Sequence, residues 1–334
     1  VIGNTRETVY LVAENGKAAA VALHTIPEAE SPEQGVHYTG VSPLKQRDGL
    51  ACIFSLPAPE NRAPGWFVTT ASRGGMVKKS EAAELPGPSS QAFRRAKGKA
   101  DDQLGWVAVT DGKGDLLMAT RDGMSIRFAE DDVRPMGLAA AGVNGIKLKG
   151  DDQVVGFTVI DRQHDVLFVL NDGQAKRIKP AEFPTQGRYG QGVQAWKLDA
   201  GQAVAGIAHD KPNQRITVHV DRLTARSHRL DEAAARKRAS KGKLLVELSD
   251  DHVTFLAAPW EAPPGLTGTG GAASPKPKKK AAAKNKTPSK QAKTKSTGEK
   301  KPPAKKAPAK KKTTAKKKTP KKTTRKTATR KRTK

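Results

Sequence analysis

The sequence predicts an all-β fold assembled from repeats. Three observations carry that prediction: one unit recurs about every 50 residues, its turns are built on glycine, and its apolar runs have the length of strands. Each unit opens with a short apolar run, breaks at a glycine turn and resumes with basic and apolar residues, as in ENGKAAAVAL (14–23), ASRGGMVKKS (71–80), TRDGMSIRF (120–128) and NDGQAKRI (171–178). The fifth copy, VDRLTARSHRL (220–230), keeps the frame without the glycine. Asn-Gly or Asp-Gly between runs of Val, Ile, Leu, Phe and Thr is a hairpin signal. Each unit then closes on a second strand pair around Asp48-Gly49, Asp101-Asp102, Asp151-Asp152, Ala200-Gly201 or Asp250-Asp251. The distance between the two turns is 28 residues in the third, fourth and fifth units, and 33 in the first.

Such spacing predicts one supersecondary block per unit, packed on its neighbours. Blocks are expected at about 8–56, 65–110, 115–160, 165–209 and 215–259 within a body covering 1–260. Four short strands per block predict a propeller-like ring, in which radial repetition leaves few open sheet edges. Only DEAAARKRASK (231–241) has helical composition, where the preceding unit has a glycine-rich stretch.

Charge divides the chain in two. Residues 274–334 hold 27 Lys and Arg against one acid, Glu299, which leaves 34 basic and 32 acidic residues for the remainder. A near-neutral body is therefore joined to a polycation. The joint, at 261–274, is rich in Pro, Gly, Ser and Thr and is expected to be a flexible linker. Beyond it, 275–334 contain no aromatic residue and no Leu, Ile, Val or Met, so a disordered tail is expected. The single cysteine, Cys52, excludes a disulfide framework within one chain and fits a core position beside Ile53 and Phe54. No stretch of 18 apolar residues occurs, so a soluble, cytoplasmic protein is expected; the N-terminus looks like a cut within something longer.

The sequence offers no catalytic centre. Its seven histidines have neither metal-ligand spacing nor cysteine partners, and it lacks a P-loop, a G-x-S-x-G and a G-x-G-x-x-G that follows a strand. No metal or cofactor is expected. Most paired acids fall at equivalent turns of successive units, where turn chemistry accounts for them. The four tryptophans, Trp66, Trp106, Trp196 and Trp260, lie in or beside apolar runs and read as core.

Basic residues recur just past the first turn: Lys78 and Lys79 in the second unit, Arg127 in the third, Lys176, Arg177 and Lys179 in the fourth, Arg226 and Arg229 in the fifth. Others sit in the connectors: Arg94, Arg95, Lys97 and Lys99, then Arg188, then Arg236, Lys237 and Arg238. Taken singly, Lys and Arg on edge strands discourage aggregation. As a row on successive blocks, they are expected to form a rim stripe that tracks the phosphates of a bent duplex.

The units resemble the C-terminal β-pinwheel of the bacterial type IIA topoisomerase A subunit. The pattern is carried by NDGQAKRIKPAEFPTQGRYGQGVQAWKLDAGQAVAGI (171–207) and by TRDGMSIRFAEDDVRP (120–135) followed by GVNGIKLKGDDQVVGF (142–157); five aligned copies over about 8–259 give it specificity. The resemblance implies an all-β pinwheel of about five four-stranded blades, six if the family's first blade precedes this sequence, whose blades exchange strands. It implies a non-catalytic domain that bends and wraps double-stranded DNA to present a crossing for strand passage. Its partners would be the catalytic core of the same polypeptide and the ATPase-bearing B subunit, near the nucleoid. Substrate steering of the topoisomerase IV type is the alternative within the family, and an interaction scaffold with a nonspecific basic tail is the alternative outside it. The gyrase hallmark Q-R-R-G-G-K-G is absent; Gln186, Arg188, Gly190 and Gly192 form its nearest, degenerate counterpart. The tail resembles the lysine-rich tails of linker histones.

Overall fold

A computed structural model describes residues 3–31, 34–95 and 102–266. The expectations for the distal linker, for the basic tail at 275–334 and for Lys97 and Lys99 lie outside the described residues.

Five blades are built from one plan. Each begins with a hairpin and adds a third strand antiparallel to the first. Blade 1 has β1 (Glu7–Ala13), β2 (Lys17–Ala22) and β3 (Leu50–Pro57); blade 2 has β4 (Phe67–Ser72), β5 (Met76–Glu81) and, after a short β6 (Phe93–Arg94), β7 (Leu104–Thr110). Blade 3 has β8 (Asp115–Thr120), β9 (Met124–Ala129) and, after β10 (Val143–Asn144), β11 (Val154–Ile160). Blade 4 has β12 (Val166–Leu170), β13 (Gln174–Ile178) and, after β14 (Val193–Gln194), β15 (Val204–His209). Blade 5 has β16 (Arg215–Val220), β17 (Arg226–Arg229) and, after β18 (Lys243–Leu244), β19 (Val253–Ala257).

The short strands do not stay with the units that contain them. β6 pairs with β2, β10 with β5, β14 with β9 and β18 with β13, so every unit after the first completes the blade before it. The second strand pair read from the sequence is thus split between two blades. Four sheets have four strands, and the fifth has three, β17-β16-β19.

Continuous apolar runs follow from burial on both sheet faces. Leu116 and Met118 of β8 pack toward blade 2 with Ala71, Val77 and Phe157, whereas Leu117 and Ala119 pack toward blade 4 with Phe168, Phe183 and Trp196. Strand β12 repeats the division, sending Val166, Phe168 and Leu170 one way and Leu167 and Val169 the other, onto Ile216, Val218 and Val246 of blade 5. Tyr10, Phe54 and Leu56 of blade 1 meet Val68, Leu85 and Val109 of blade 2. Trp196 is buried, and Trp66, Trp106 and Trp260 are half-buried against these cores. Cys52 packs against the same first cluster, and burial pushes its thiol up to about 12.

Two segments differ from the sequence reading. Residues 231–241 form no α-helix: a 3-10 turn at Leu230–Glu232 leads into an extended connector. Its backbone is taken up by blade 4, with Arg177 N–H donating to Ala234 O at 2.9 Å and Arg236 N–H to Arg177 O at 2.8 Å, so tertiary pairing overrides helix propensity. The first residues of the expected linker are docked. Trp260 lies 6.2 Å from Phe54, Trp66 Nε1 donates to Gly265 O at 3.1 Å, Ala63 N–H donates to Leu266 O at 3.0 Å, and Leu266 is 1% exposed.

The connectors are held by buried cations. Lys176 Nζ donates to Arg238 O and Ser240 O, both at 2.7 Å, and to Lys237 O at 3.4 Å, while lying 4.3 Å from the centre of the Trp196 ring. Lys176→Met keeps the volume but strands these carbonyls, so a loss of about 2–4 kcal/mol in denaturant unfolding is expected. Hydrogen exchange of the variant should show amides at 236–246 opening before those of blade 2.

Candidate nucleic-acid interface

The hairpin glycines set the geometry of the perimeter. Gly75, Gly123 and Gly173 have φ of 80°, 82° and 81°, a left-handed conformation that suits glycine. Each carbonyl then accepts from the incoming connector: Gly75 O from Gly145 N–H at 2.8 Å, Gly123 O from Ala195 N–H at 2.8 Å, Gly173 O from Leu245 N–H at 3.0 Å. A Cβ on Gly173 would sit 2.1 Å from Val246 O. Acidic turns brace the same hairpins: Asp102 accepts from Gly74 N–H at 2.7 Å, Asp152 from Asp122 N–H at 3.0 Å and Asp251 from Leu223 N–H at 2.9 Å.

This packing relocates much of the expected rim stripe. Lys78, Lys79, Arg95 and Lys176 are buried. Lys78 Nζ donates to Arg95 O at 2.6 Å and to Leu138 O; Lys79 Nζ donates to Glu130 O at 3.0 Å; Arg95 donates to Val68 O at 2.7 Å and to Ser80 Oγ at 3.1 Å. Burial pulls the Lys78 ammonium down to about 7 and that of Lys176 to about 8. Arg127 is 10% exposed, bound to Asp115 and to the carbonyls of Pro180 at 3.1 Å and Phe183 at 3.3 Å. Arg177 donates to Ala233 O at 2.8 Å and to Asp165 at 3.4 Å. These six side chains hold the next connector or bind within their own interface, and do not make an exposed row. The reason is that each connector passes over the second strand of the preceding hairpin and covers the positions just past its turn.

Arg188 and Arg238 are half-buried and repeat-equivalent. Arg188 Nη1 donates to Asn144 O at 2.7 Å, and Arg238 Nη1 donates to Gln194 O at 2.9 Å, so each clamps the strand donated by the unit before. Around Arg188, Gln186 N–H donates to Arg127 O at 2.8 Å, and a Cβ on Gly192 would lie 2.2 Å from Ser125 O. Gly190 O accepts from Lys147 N–H at 2.9 Å, which places consecutive connectors edge to edge. Tyr189 between them has φ 67° and is 49% exposed, a strained and open aromatic of the kind found at functional positions.

Six of the expected cations are exposed: Arg94, Lys179, Arg226, Arg229, Arg236 and Lys237. Arg229 is paired, at 3.0 Å from Asp231. Sequence reasoning missed two equivalent exposed lysines, Lys147 and Lys197, 50 residues apart, together with exposed Lys149, Lys241 and Lys243. Their signal was present in GIKLKGDD and AWKLDAGQ, where each lysine follows the buried Ile146 or Trp196.

Two clusters have metal-like composition, Asp161–His164–His209 and Asp221–Asp251–His252. Their lone pairs are engaged in turns: His209 Nε2 accepts from Asp161 N–H at 3.0 Å, His164 Nδ1 lies 2.6 Å from Asp161, and Asp251 accepts from Arg222, Leu223 and His252 N–H. Among the described residues no helix is long and apolar enough to cross a membrane.

A ring of blades completed by their successors, with exposed lysines on the connectors, defines a propeller-type fold. The family described as DNA gyrase C-terminal domain, beta-propeller, matches residues 114–161 and 164–208. The A subunit of DNA gyrase from Haemophilus influenzae is 30% identical over 148 residues, which are 44% of this chain and 16% of that protein. Its counterpart from Klebsiella oxytoca is 32% identical over 149 residues, 44% and 17% of the two chains. The chain therefore matches about a sixth of the length of these relatives. In fold, it is similar to the C-terminal domain of DNA topoisomerase IV, with a TM-score of 0.69 at 22% identity over 76% of this chain and 79% of that one. It is also similar to the DNA gyrase A C-terminal domain, with a TM-score of 0.64 at 16% identity over 77% and 83%. The family match falls on two of the five repeats, and the fold of the body is similar to that of the C-terminal domains of topoisomerase IV and DNA gyrase A.

Glu130 provides an electrostatic test of the interface between blades 2 and 3. It is fully buried, one oxygen accepts from Thr110 at 2.5 Å and Thr69 at 3.2 Å, the other has no partner, and burial raises its carboxyl above the ordinary value. A raised carboxyl favours folding while protonated and loses that contribution as pH rises through its folded value. Glu130→Gln should therefore match the parent in unfolding free energy below the ordinary glutamate range and exceed it at neutral pH, as followed by denaturant titration across pH.

Proposed function

We propose that the body binds and wraps duplex DNA along its connector perimeter, as the accessory domain of a topoisomerase acting beside a separate cleavage core and an ATPase subunit in the cytoplasm. The observation that carries this reading is the set of exposed cations on overlapping connectors. Lys147 stands beside Gly190 of the following connector, Lys197 recurs one unit on, and Arg94, Lys179, Arg236 and Lys237 stand elsewhere on the same connectors and strand ends. Cations at one spacing on successive blades suit phosphates, which position a protein without specifying bases. Bending a duplex site costs on the order of 1–6 kcal/mol, and a series of contacts along a curved surface offsets it better than one strong contact. Whether the wrap serves supercoiling or substrate steering depends on the parts of the enzyme outside this chain, and the relatives are gyrase subunits.

Mutating the exposed positions separates this role from the structural one. In a body ending at residue 274, where the compact unit ends, Lys147→Glu, Lys197→Glu and Lys237→Glu together should lower the magnitude of the salt slope of DNA binding by about 0.9 per lost contact. The linking difference trapped when nicked plasmid is ligated with the body bound should fall as well. An unchanged slope and an unchanged linking difference would remove these residues from the DNA path.

A further inference from the structure

Tyr189 occupies a backbone position that suits glycine. Among the described residues it is the one non-glycine residue with a positive φ, 67°, although Gly187 and Gly190 flank it in the same connector. A side chain in the left-handed region costs stability unless its packing offsets the strain. Here packing does not: the ring is 49% exposed and joins none of the five apolar clusters.

The base of this side chain is nonetheless fixed. Tyr189 N–H donates to Gly145 O at 2.7 Å, Gly190 O accepts from Lys147 N–H at 2.9 Å, and the Arg188 guanidinium donates to Asn144 O at 2.7 Å and to Asp132 O at 3.3 Å. The hairpin beneath this connector differs from its neighbours. Three places past the hairpin glycine, blades 2 and 4 have Lys78 and Lys176, whose ammonium groups gather carbonyls of the arriving connector, at Leu138 in one case and at Arg238 and Ser240 in the other. Blade 3 has buried Ile126 at that place, which donates nothing. There the connector turns through Tyr189, and a Cβ on Gly190 would lie 3.3 Å from Ile126 Cδ1.

The equivalent positions of the neighbouring connectors also face outward. Counting three places back from Gly142, Gly192 and Gly242 gives Ala139, Tyr189 and Ala239, all exposed. One connector of these three therefore presents a firmly based aromatic ring where the others present a methyl group. Beside it are exposed Lys147 and glycine backbone, while the other exposed large apolar residues, Val36, Ile53, Leu223, Leu244 and Phe255, belong to the first and fifth units. Protein docking is marked by a contiguous apolar patch, which Tyr189 lacks. An isolated aromatic with a cation beside it suits the stacked bases of a nucleic acid.

We propose that Tyr189 inserts at one base step of the duplex carried along the connectors, unstacking that step in part and fixing where the bend is sharpest. The assignment rests on the DNA-binding reading of the perimeter and adds a specificity-determining contact to it. Lysines on successive blades hold phosphates whatever the bases, whereas a ring wedged between bases favours steps that open easily, such as TA and CA/TG. A surface otherwise blind to sequence thus gains a preference for deformable steps at one point of the path.

Permanganate, which oxidises unstacked thymines, tests this with the full chain bound to linear duplexes that carry a single TA step at successive positions. The linking difference trapped when nicked plasmid is ligated with the same protein bound is measured in parallel. The parent and Tyr189→Phe should raise thymine reactivity at the TA step. With Tyr189→Gly it should return to the level of free DNA, while the denaturant midpoint of that variant equals or exceeds the parent's because glycine suits the positive φ. A parent that traps a linking difference without raising thymine reactivity overturns the wedge and leaves the wrap standing. A parent that traps no linking difference removes the DNA reading and the wedge together. Tyr189→Gly that keeps the thymine signal overturns the assignment and leaves the ring free for a protein partner. Loss of the signal together with a lowered midpoint overturns it too, and makes Tyr189 a packing residue.

Discussion

The structure depends on how each connector is fastened to the blade before it. A two-residue strand contributes little pairing of its own, so the attachment needs other anchors. One is the hairpin glycine carbonyl, which accepts from the first residues after the short strand. The other is a buried cation that collects connector carbonyls, as Lys176 does with Arg238 and Ser240, both at 2.7 Å. Arg62 works the same way between blades 1 and 2, where it is 9% exposed and donates to Ala82 O at 2.7 Å, Leu85 O at 2.9 Å and Pro57 O at 2.9 Å. A charge taken out of water is costly unless its donors are met, and here backbone carbonyls that would otherwise be orphaned meet them. Cation and connector are therefore mutually required, which couples neighbouring blades beyond their apolar contact.

This coupling explains which parts of the molecule were legible in the sequence. The period, the hairpins and the strand content could be read because glycine at positive φ and apolar runs buried on two faces are local requirements that each unit satisfies for itself. The destination of the cations could not. Lys78 and Lys79 look like solvated residues just past a turn, and only the path of a connector from some 60 residues further on decides that both are buried. Arg127 and Arg177 were misread for the same reason. The segment 231–241 has the composition of a helix, but its carbonyls at Lys237, Arg238 and Ser240 are committed to Lys176. Lys147 and Lys197 were legible in principle, since they recur with the unit, but as single lysines they are overshadowed by the denser cation runs beside the turns.

Burying the regular cations has an electrostatic consequence. Charges that would have formed a dense stripe are withdrawn, and the exposed ones that remain belong to connectors and strand ends. A perimeter of this kind carries modest charge per blade, consistent with 34 basic against 32 acidic residues outside 274–334. Attraction of a duplex to such a surface depends on placement along the curve more than on total charge. The segment that follows, residues 274–334, holds 27 basic residues against one acid.

Blades 1 and 5 differ from the three between them. Blade 1 covers its outer face with its own connector: Tyr38 and Leu44 pack on Val9, Leu11 and Val21. Blade 1 also has Ala18, Ala19 and Ala20 around the positions where blades 2 and 4 place their buried lysines, so the connector of unit 2 is held there without an ammonium. Blade 5 ends differently, sending residues 260–266 back to blades 1 and 2, where Leu266 enters their shared core. That crossing ties the last unit to the first two through apolar burial, independently of any strand pairing. Because the tie lies in blades 1 and 2, loosening the strap would weaken those blades along with blade 5, since all three then share a single core.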